Sequence, residues 1–467
     1  MNCIHPFASA SIENANKIAF ASPGANSETF SQLREKIIRI QATLRSKHFA
    51  YGDKLLLAMD ISSDLYAIVI ATMGLGGTVI LVEPWMSINR ISEVINLVKP
   101  KIFVSSFLGK FWGVRVSEIR NIPIWLSLKS LLDNSGRELI CEDVEKTTPG
   151  IITFTSGTSG VPKGVVREQG YLLEQFNVLK SNLHFDQYSG ADLCIFANWS
   201  LLNLAQGKTT VFFPSNWSKK NFSWLESASS VYNIQTLTAG PAFAQQLLTH
   251  TKIKTFKDIH IGGALTPIKL FTDLIQMYPD SLISQIYGSS EVEPVCTISA
   301  KESVELSLKN HFYHSLVLGQ PIQEIKYENS NRGMWVTGPH VCPFYLNNRD
   351  ENLKNKRKDD QNQIWHFMGD RISYDSNNNW IYSGRESMGS DDFFLEQKIY
   401  NFIRHDLAFL DRSLDGHLNL YGEGLKKINL ELKRQFPQIE KVVETKIIKD
   451  KRHRARIDRG EILKRLK

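Results

Sequence analysis

Ten residues, Thr155-Ser-Gly-Thr-Ser-Gly-Val-Pro-Lys-Gly164, gather the groups of this chain best suited to hold an anion. Hydroxyls on Thr155, Ser156, Thr158 and Ser159, with Gly157, Gly160 and Gly164, leave little from which to build a core. Such a loop can turn backbone N–H groups and hydroxyls onto one ligand, and Lys163 adds a positive charge. The chemistry this suits is the cradling of phosphate. It is not a Walker loop: Gly164 follows Lys163 where a metal-binding Ser or Thr would stand, and the glycine spacing differs. The preceding run Ile151-Ile-Thr-Phe154 reads as a short buried strand, which separates the loop from a flexible linker.

The elements around it must position that loop. Apolar residues at helical spacing (Leu33, Ile37, Ile40, Leu44) predict a helix within residues 16–50, after a turn at 22–27. Residues 54–59 read as a strand, 62–75 as an apolar helix, 79–82 and 102–104 as strands, and 88–98 as an amphipathic helix. Beyond the loop, helices are expected at 170–183 and 241–249, with strands at 193–196, 209–213 and 258–261. Strands alternating with helices imply an α/β fold with a mainly parallel sheet covered on both faces. The polar stretch 347–363 reads as a linker or a loop. A second boundary is expected after Arg385, where a shorter, more charged remainder begins.

At 467 residues the chain is long enough for two or three domains. The net charge of +7 is mild, and the basic tail from Lys446 to Lys467 comes without a nucleic-acid reader motif, so nucleic acid is not expected as a partner. The five dispersed cysteines show no metal-ligand spacing and no signal peptide is evident, which together point to reduced thiols and a cytoplasmic location. Residues 65–82 are uncharged over a length that invites comparison with a membrane helix, but Gly74, Gly76 and Gly77 favour helix, turn and strand instead.

With the order of these motifs in view, the chain resembles the adenylate-forming superfamily of acyl-CoA synthetases, adenylation domains and luciferases. Residues 155–164 are similar to its phosphate loop and Gly262-Gly-Ala264 to its glycine turn beside adenine and the acyl group. Tyr287-Gly-Ser-Ser-Glu291 is similar to its Tyr-Gly-x-Thr-Glu segment. Gly369-Asp370 and Ser383-Gly-Arg385 are similar to its ribose-binding aspartate and hinge arginine. The resemblance implies a large N-terminal adenylation domain (1–384) and a small, mobile α+β lid (385–467). It implies ATP and Mg²⁺ as cofactors, the metal on Glu291 and the β- and γ-phosphates on Thr155–Gly160 and Lys163. It further implies adenine near Gly262, Gly263, Ala264, Tyr287 and Gly288, the α-phosphate near Ser290, and ribose on Asp370 and Arg385. A carboxylic acid would attack the α-phosphorus to give an acyl-adenylate and pyrophosphate.

A narrower resemblance lies in residues 191–214 and in the tail Asp450-Lys-Arg-His-Arg-Ala-Arg-Ile457, which look like the β-lactone synthetases of olefin biosynthesis. It implies a β-hydroxy acid whose own hydroxyl closes a lactone after adenylation. Arg456 then stands where that family has its C-terminal catalytic lysine. Leu201, Leu202 and Leu204 suggest an apolar acyl pocket. Phe196-Ala-Asn-Trp-Ser200 has no carboxylate where amino-acid-activating domains place one, which argues against an α-amino acid. The alternatives are a ligase that hands the acyl group to CoA or a carrier protein, and a nucleotide-binding protein without turnover.

Overall fold

The structure is a computed structural model that describes residues 1–82, 86–105, 115–155, 163–184, 187–413, 415–449 and 456–466, with Thr155 described by its backbone alone. Two large sheets dominate it. The strands Pro149–Thr155, Thr78–Leu81, Lys54–Ala58, Ile102–Ser105 and Ile124–Ser127 lie parallel in that spatial order, and Lys163–Glu168 and Tyr345–Leu346 extend the sheet antiparallel. In the second sheet Leu282–Ser289, Asp258–Gly262, Ile234–Ala239, Ala191–Cys194, Thr210–Phe212 and Ile18–Ala21 run parallel, between antiparallel edges Val292–Ser299 and Glu28–Thr29. These strands are β-branched or aliphatic and mostly buried on both faces, as parallel strands between helices must be.

One core cluster joins the two sheets. It contains Leu55, Leu57, Val79 and Ile102 from one, Phe20 and Phe212 from the other, and the apolar stripes of the helices Phe30–Ser46 and Ser63–Gly74 between them. The second of these helices is buried from Leu65 to Gly74, which explains its membrane-like composition. Its 12 residues span only about 18 Å, short of a bilayer's hydrocarbon core. No described helix is long and apolar enough to cross a membrane.

The stretch 347–363 is not a linker. Asn348 caps the helix Arg349–Asn355 by accepting a hydrogen bond from the Glu351 N–H, and the strand Lys356–Lys358 pairs with Ile364–Phe367. Its polar character misled the sequence reading because part of it turns inward: the Glu351 carboxylate and the Asn355 amide are buried.

After Arg385 the helix Ser390–Ile403 joins two packing environments. Phe393 lies with Leu316, Val317 and Ile381, whereas Ile399 and Tyr400 pack with Ala408, Leu410, Leu418 and Leu420. The latter belong to a three-stranded sheet of Ala408–Arg412, Leu418–Gly422 and Ile439–Glu444. The last helix, Arg459–Leu466, docks there through the Arg459 guanidinium, whose Nη2 lies 2.8 and 2.9 Å from the carboxylate oxygens of buried Glu396.

Candidate active site

The hairpin formed by Leu282–Ser289 and Val292–Ser299 carries Glu291 in its turn. Arg167 and the stretch from Cys342 to Tyr345 hold that turn. The buried Arg167 guanidinium donates to the Ser290 carbonyl at 2.9 Å and to Thr153 Oγ1 at 2.6 Å, tying the turn to the strand Pro149–Thr155. The Cys342 N–H donates to the Glu291 carbonyl at 2.7 Å, and the Tyr345 hydroxyl donates to Glu291 Oε1 at 2.7 Å. Burial by itself raises the pKa of Glu291. The field of His366 and Lys356, with hydrogen bonds to Tyr345 and Ser289, outweighs burial and brings it down to about 2. Burial together with Lys356 lowers His366 to about 3, so its ring is neutral near pH 7. At that pH Lys356 and the Tyr345 hydroxyl are what hold Glu291 ionised.

Lys163 opens the strand Lys163–Glu168, and its ammonium forms an ion pair with Glu351 and lies 5.7 Å from the centre of the Tyr345 ring. The strand Tyr345–Leu346 pairs with this same strand, Tyr345 opposite Val165 and Leu346 opposite Gly164. The folded stretch after Cys342 therefore reaches both Lys163 and Glu291. Thr155, expected to open the loop, instead ends its strand and pairs with Lys163, so that Lys163 and Gly164 also belong to a strand, while Ser156, Gly157, Thr158, Ser159 and Gly160 lie outside the described residues.

In a second cluster the Tyr287 hydroxyl donates to Asp370 Oδ2 at 2.6 Å, and Arg385 Nε approaches Asp370 Oδ1 at 2.9 Å. Asp370 is buried, and Arg385 is half exposed. Burial pushes the Asp370 carboxyl upward against the pull of Arg385 and Tyr287, and the adjacent carboxylate pushes the guanidinium up. The Arg385 contact lacks hydrogen-bond geometry, so Oδ1 is a buried acceptor without a hydrogen-bond donor from the described residues. The glycine turn stands nearby. A Cβ at Gly262 would come within 2.8 Å of the Ile286 carbonyl, and Gly263 has φ +82°. Arg456 Nη2 donates to the Gly263 carbonyl at 2.7 Å, and its charge acts on Asp370. Ala264, Gly288 and Ser290, expected beside the nucleotide, are partly exposed.

The structure thus gathers Tyr287, Asp370 and Arg385 in one cluster, with Gly263 and Arg456 beside it, and Glu291 with Lys163 around Tyr345. Sequence reasoning missed Arg167, Tyr345, Glu351, Lys356 and His366. For Glu351 and Lys356 the only available signal was an excess of charge in 347–363, read as a linker or a loop; Arg167, Tyr345 and His366 stand outside that stretch. It also gave Leu202 and Leu204 to an acyl pocket, but both are buried in core clusters and Leu201 packs against one. The segment around Phe196–Ser200 acquires a carboxylate through space: Asn198 Nδ2 donates to Glu293 Oε2 at 3.2 Å. Tyr66 fixes the start of the helix Ala197–Ala205 by donating its hydroxyl to the Ala197 carbonyl at 2.7 Å.

Known proteins share the sequence family and the fold. An olefin β-lactone synthetase from Stenotrophomonas maltophilia is 20% identical over 407 residues, covering 77% of this chain and 72% of its own length. A hybrid PKS-NRPS synthetase from Xenoacremonium sinensis is 24% identical over 376 residues; the match covers 74% of this chain but only 9% of that protein. Among solved structures, the o-succinylbenzoate CoA synthetase of Bacillus subtilis in complex with ATP and magnesium ion has the same fold, with a TM-score of 0.81 at 16% identity, covering 98% of this chain and 99% of that one. An amide bond synthetase from Marinactinospora thermotolerans matches over 100% of both chains with a TM-score of 0.80 at 13% identity. The family model described as AMP-binding enzyme matches residues 7–331. The chain belongs to the AMP-binding enzyme family, whose members form adenylates from ATP.

Proposed function

We propose that this enzyme activates a carboxylic acid as its acyl-adenylate. A carboxylate oxygen attacks the α-phosphorus, the bond from that phosphorus to the bridging oxygen breaks, and pyrophosphate leaves. Asp370 accepts ribose hydroxyls through its buried Oδ1, with Arg385 beside it, and Tyr287 offers an aromatic wall to adenine. Lys163 offsets phosphate charge. Glu291, ionised and anchored through Oε1, is a hard oxygen ligand of the kind Mg²⁺ takes together with substrate phosphates. When bound there, Mg²⁺ would supply charge stabilisation at the departing pyrophosphate. Arg456 meets the glycine turn at the Gly263 carbonyl. That contact is the observation that carries the reading, because it brings a cation from the C-terminal segment to the glycine turn beside Asp370.

For the second step we favour capture by a β-hydroxyl of the same acyl group, which closes a four-membered lactone and releases AMP and a proton. The support is likeness to olefin β-lactone synthetases over most of their own length and the proximity an internal nucleophile supplies. The 1–384 and 385–467 division remains our assignment of the adenylation domain and lid. A specific contact favours a second reading, an acid bearing an amino group: Glu293 brings to Asn198 the carboxylate that the local sequence lacks. Transfer to CoA or a carrier protein is the third outcome the assay resolves.

The test is pyrophosphate release from ATP and Mg²⁺ over fatty, β-hydroxy, aryl and amino acids, each with and without CoA, with mass spectrometry of the products. Release with a β-hydroxy acid, independent of CoA and lost in Glu291→Ala, is the expected result. Release only with amino acids moves the assignment to the second reading. No release with any acid, by protein that still binds ATP, overturns adenylation and leaves a nucleotide-binding protein.

A further inference from the structure

A part-buried lysine next to the proposed metal-binding carboxylate has so far entered only through its field on Glu291, with no role toward a ligand. Lys356 opens a short strand and stands in register with His366 on the neighbouring one. Its ammonium donates to the Cys342 carbonyl and lies 5.3 Å from the centre of the Tyr345 ring. The Lys163 ammonium lies 5.7 Å from the same ring, and the hydroxyl of that ring is bound to Glu291. Two lysines and the Glu291 carboxylate therefore converge on one tyrosine.

The charges around this ring show what Lys356 can contribute. Glu351 already pairs with Lys163, so part of that lysine's charge is neutralised before any phosphate arrives. Lys356 has Glu291 as its carboxylate neighbour, and a buried ammonium needs such a neighbour to offset its desolvation. If Glu291 turns to a divalent cation, Lys356 loses that compensation. Phosphate oxygens of a metal–polyphosphate restore it. A site with Lys163, Glu291 and Glu351 but no Lys356 would present net negative charge to an anionic ligand.

We propose that Lys356 is a binding residue of the pyrophosphate subsite, a second lysine that neutralises the leaving group alongside Lys163. The inference rests on the adenylation reading. It accounts for an ammonium among Tyr345, His366 and Cys342, where an apolar residue would be cheaper to bury. The bland alternative is a strut that only supports the Cys342 carbonyl and the Tyr345 ring.

Calorimetric titration of the full chain with inorganic pyrophosphate plus MgCl₂, and separately with AMP, distinguishes the two. Lys356→Met and Lys356→Gln should weaken pyrophosphate binding by roughly tenfold to a hundredfold and leave AMP binding within about twofold, as expected for one lost charge-assisted contact at one end of the proposed site. Lys356→Gln keeps an N–H donor for Cys342 and serves if the Met variant does not fold. Lys358→Met, on an exposed side chain of the same strand, should change neither. Pyrophosphate binding at the wild-type level in either Lys356 variant overturns the proposal, and so does an equal loss for pyrophosphate and AMP. Wild-type protein that binds neither ligand would overturn the adenylation reading itself, a result separate from failure at Lys356 alone.

Discussion

Replacing Asp370 by Asn tests the nucleoside end of the proposed site most directly. In the native protein Oδ2 is taken by the Tyr287 hydroxyl at 2.6 Å, and Oδ1 is the buried acceptor left for a ribose hydroxyl. A hydrogen bond to a charged acceptor contributes about 1.5–3 kcal/mol. The amide keeps one neutral acceptor but loses the charge, so the expected loss is about 1–2 kcal/mol, or roughly fivefold to thirtyfold in the ATP dissociation constant. Stability should fall by less, because Arg385 is half exposed and stays solvated when its partner is neutral. The assay is titration of both proteins with ATP and with 2′,3′-dideoxy-ATP. Wild type should lose affinity for the dideoxy nucleotide, and the variant should discriminate far less, so that the two changes are coupled rather than additive. A folded Asp370→Asn protein that binds ATP like wild type, or that still distinguishes the two nucleotides fully, would refute the ribose role.

Other outcomes can be checked with the same preparations. Arg456→Ala should cut acid-dependent pyrophosphate release by about tenfold or more with the ATP dissociation constant little changed, since the lost contact is to the Gly263 carbonyl. Arg456→Lys should also lose activity, because an ammonium does not reproduce the planar fork; a large gain would instead mark the arginine as a decayed lysine. His366→Phe should flatten the acid limb of the stability curve. The buried ring has its pKa lowered to about 3, so below the ordinary value of 6.5 only the unfolded chain takes up the proton and wild-type stability falls with pH. That loss is at most about 2 kcal/mol at pH 5, read by urea denaturation at pH 5 and pH 7.5, and a variant with the same pH slope as wild type would contradict it. Arg459→Met removes the cation facing buried Glu396 and should cost about 2–3 kcal/mol at pH 8 and less at pH 5, because burial pushes the Glu396 carboxyl upward and eases its protonation as pH falls; thermal melts at the two values measure it.

The parallel core was legible because its signal is local. Alternating apolar strands and helices at 54–59, 62–75, 79–82, 88–98 and 102–104 all became elements within a residue or two of the expected bounds. The motif residues Tyr287, Glu291, Asp370 and Arg385 could be singled out because each stands in a recognisable string. Lys356 and His366 could not be found that way. They meet only because Lys356–Lys358 pairs with Ile364–Phe367, and pairing between strands leaves little trace in residue type. The Glu293–Asn198 contact joins residues 95 positions apart, so a carboxylate judged missing from one segment arrived from another.

The helix Ser390–Ile403 makes folding of the two ends of the chain interdependent. Phe393 fills a place among Leu316, Val317 and Ile381, and Tyr313 from before the boundary packs into the cluster around Leu410 and Leu420. A fragment ending at 384 would leave Leu316, Val317 and Ile381 without their Phe393 cover, and a fragment starting at 385 would lack Tyr313. Neither piece would keep all the contacts of its apolar surface. Unfolding of the intact chain should therefore couple the two ends, and a cut at the apparent seam should yield partners that aggregate or recombine rather than two independently stable bodies.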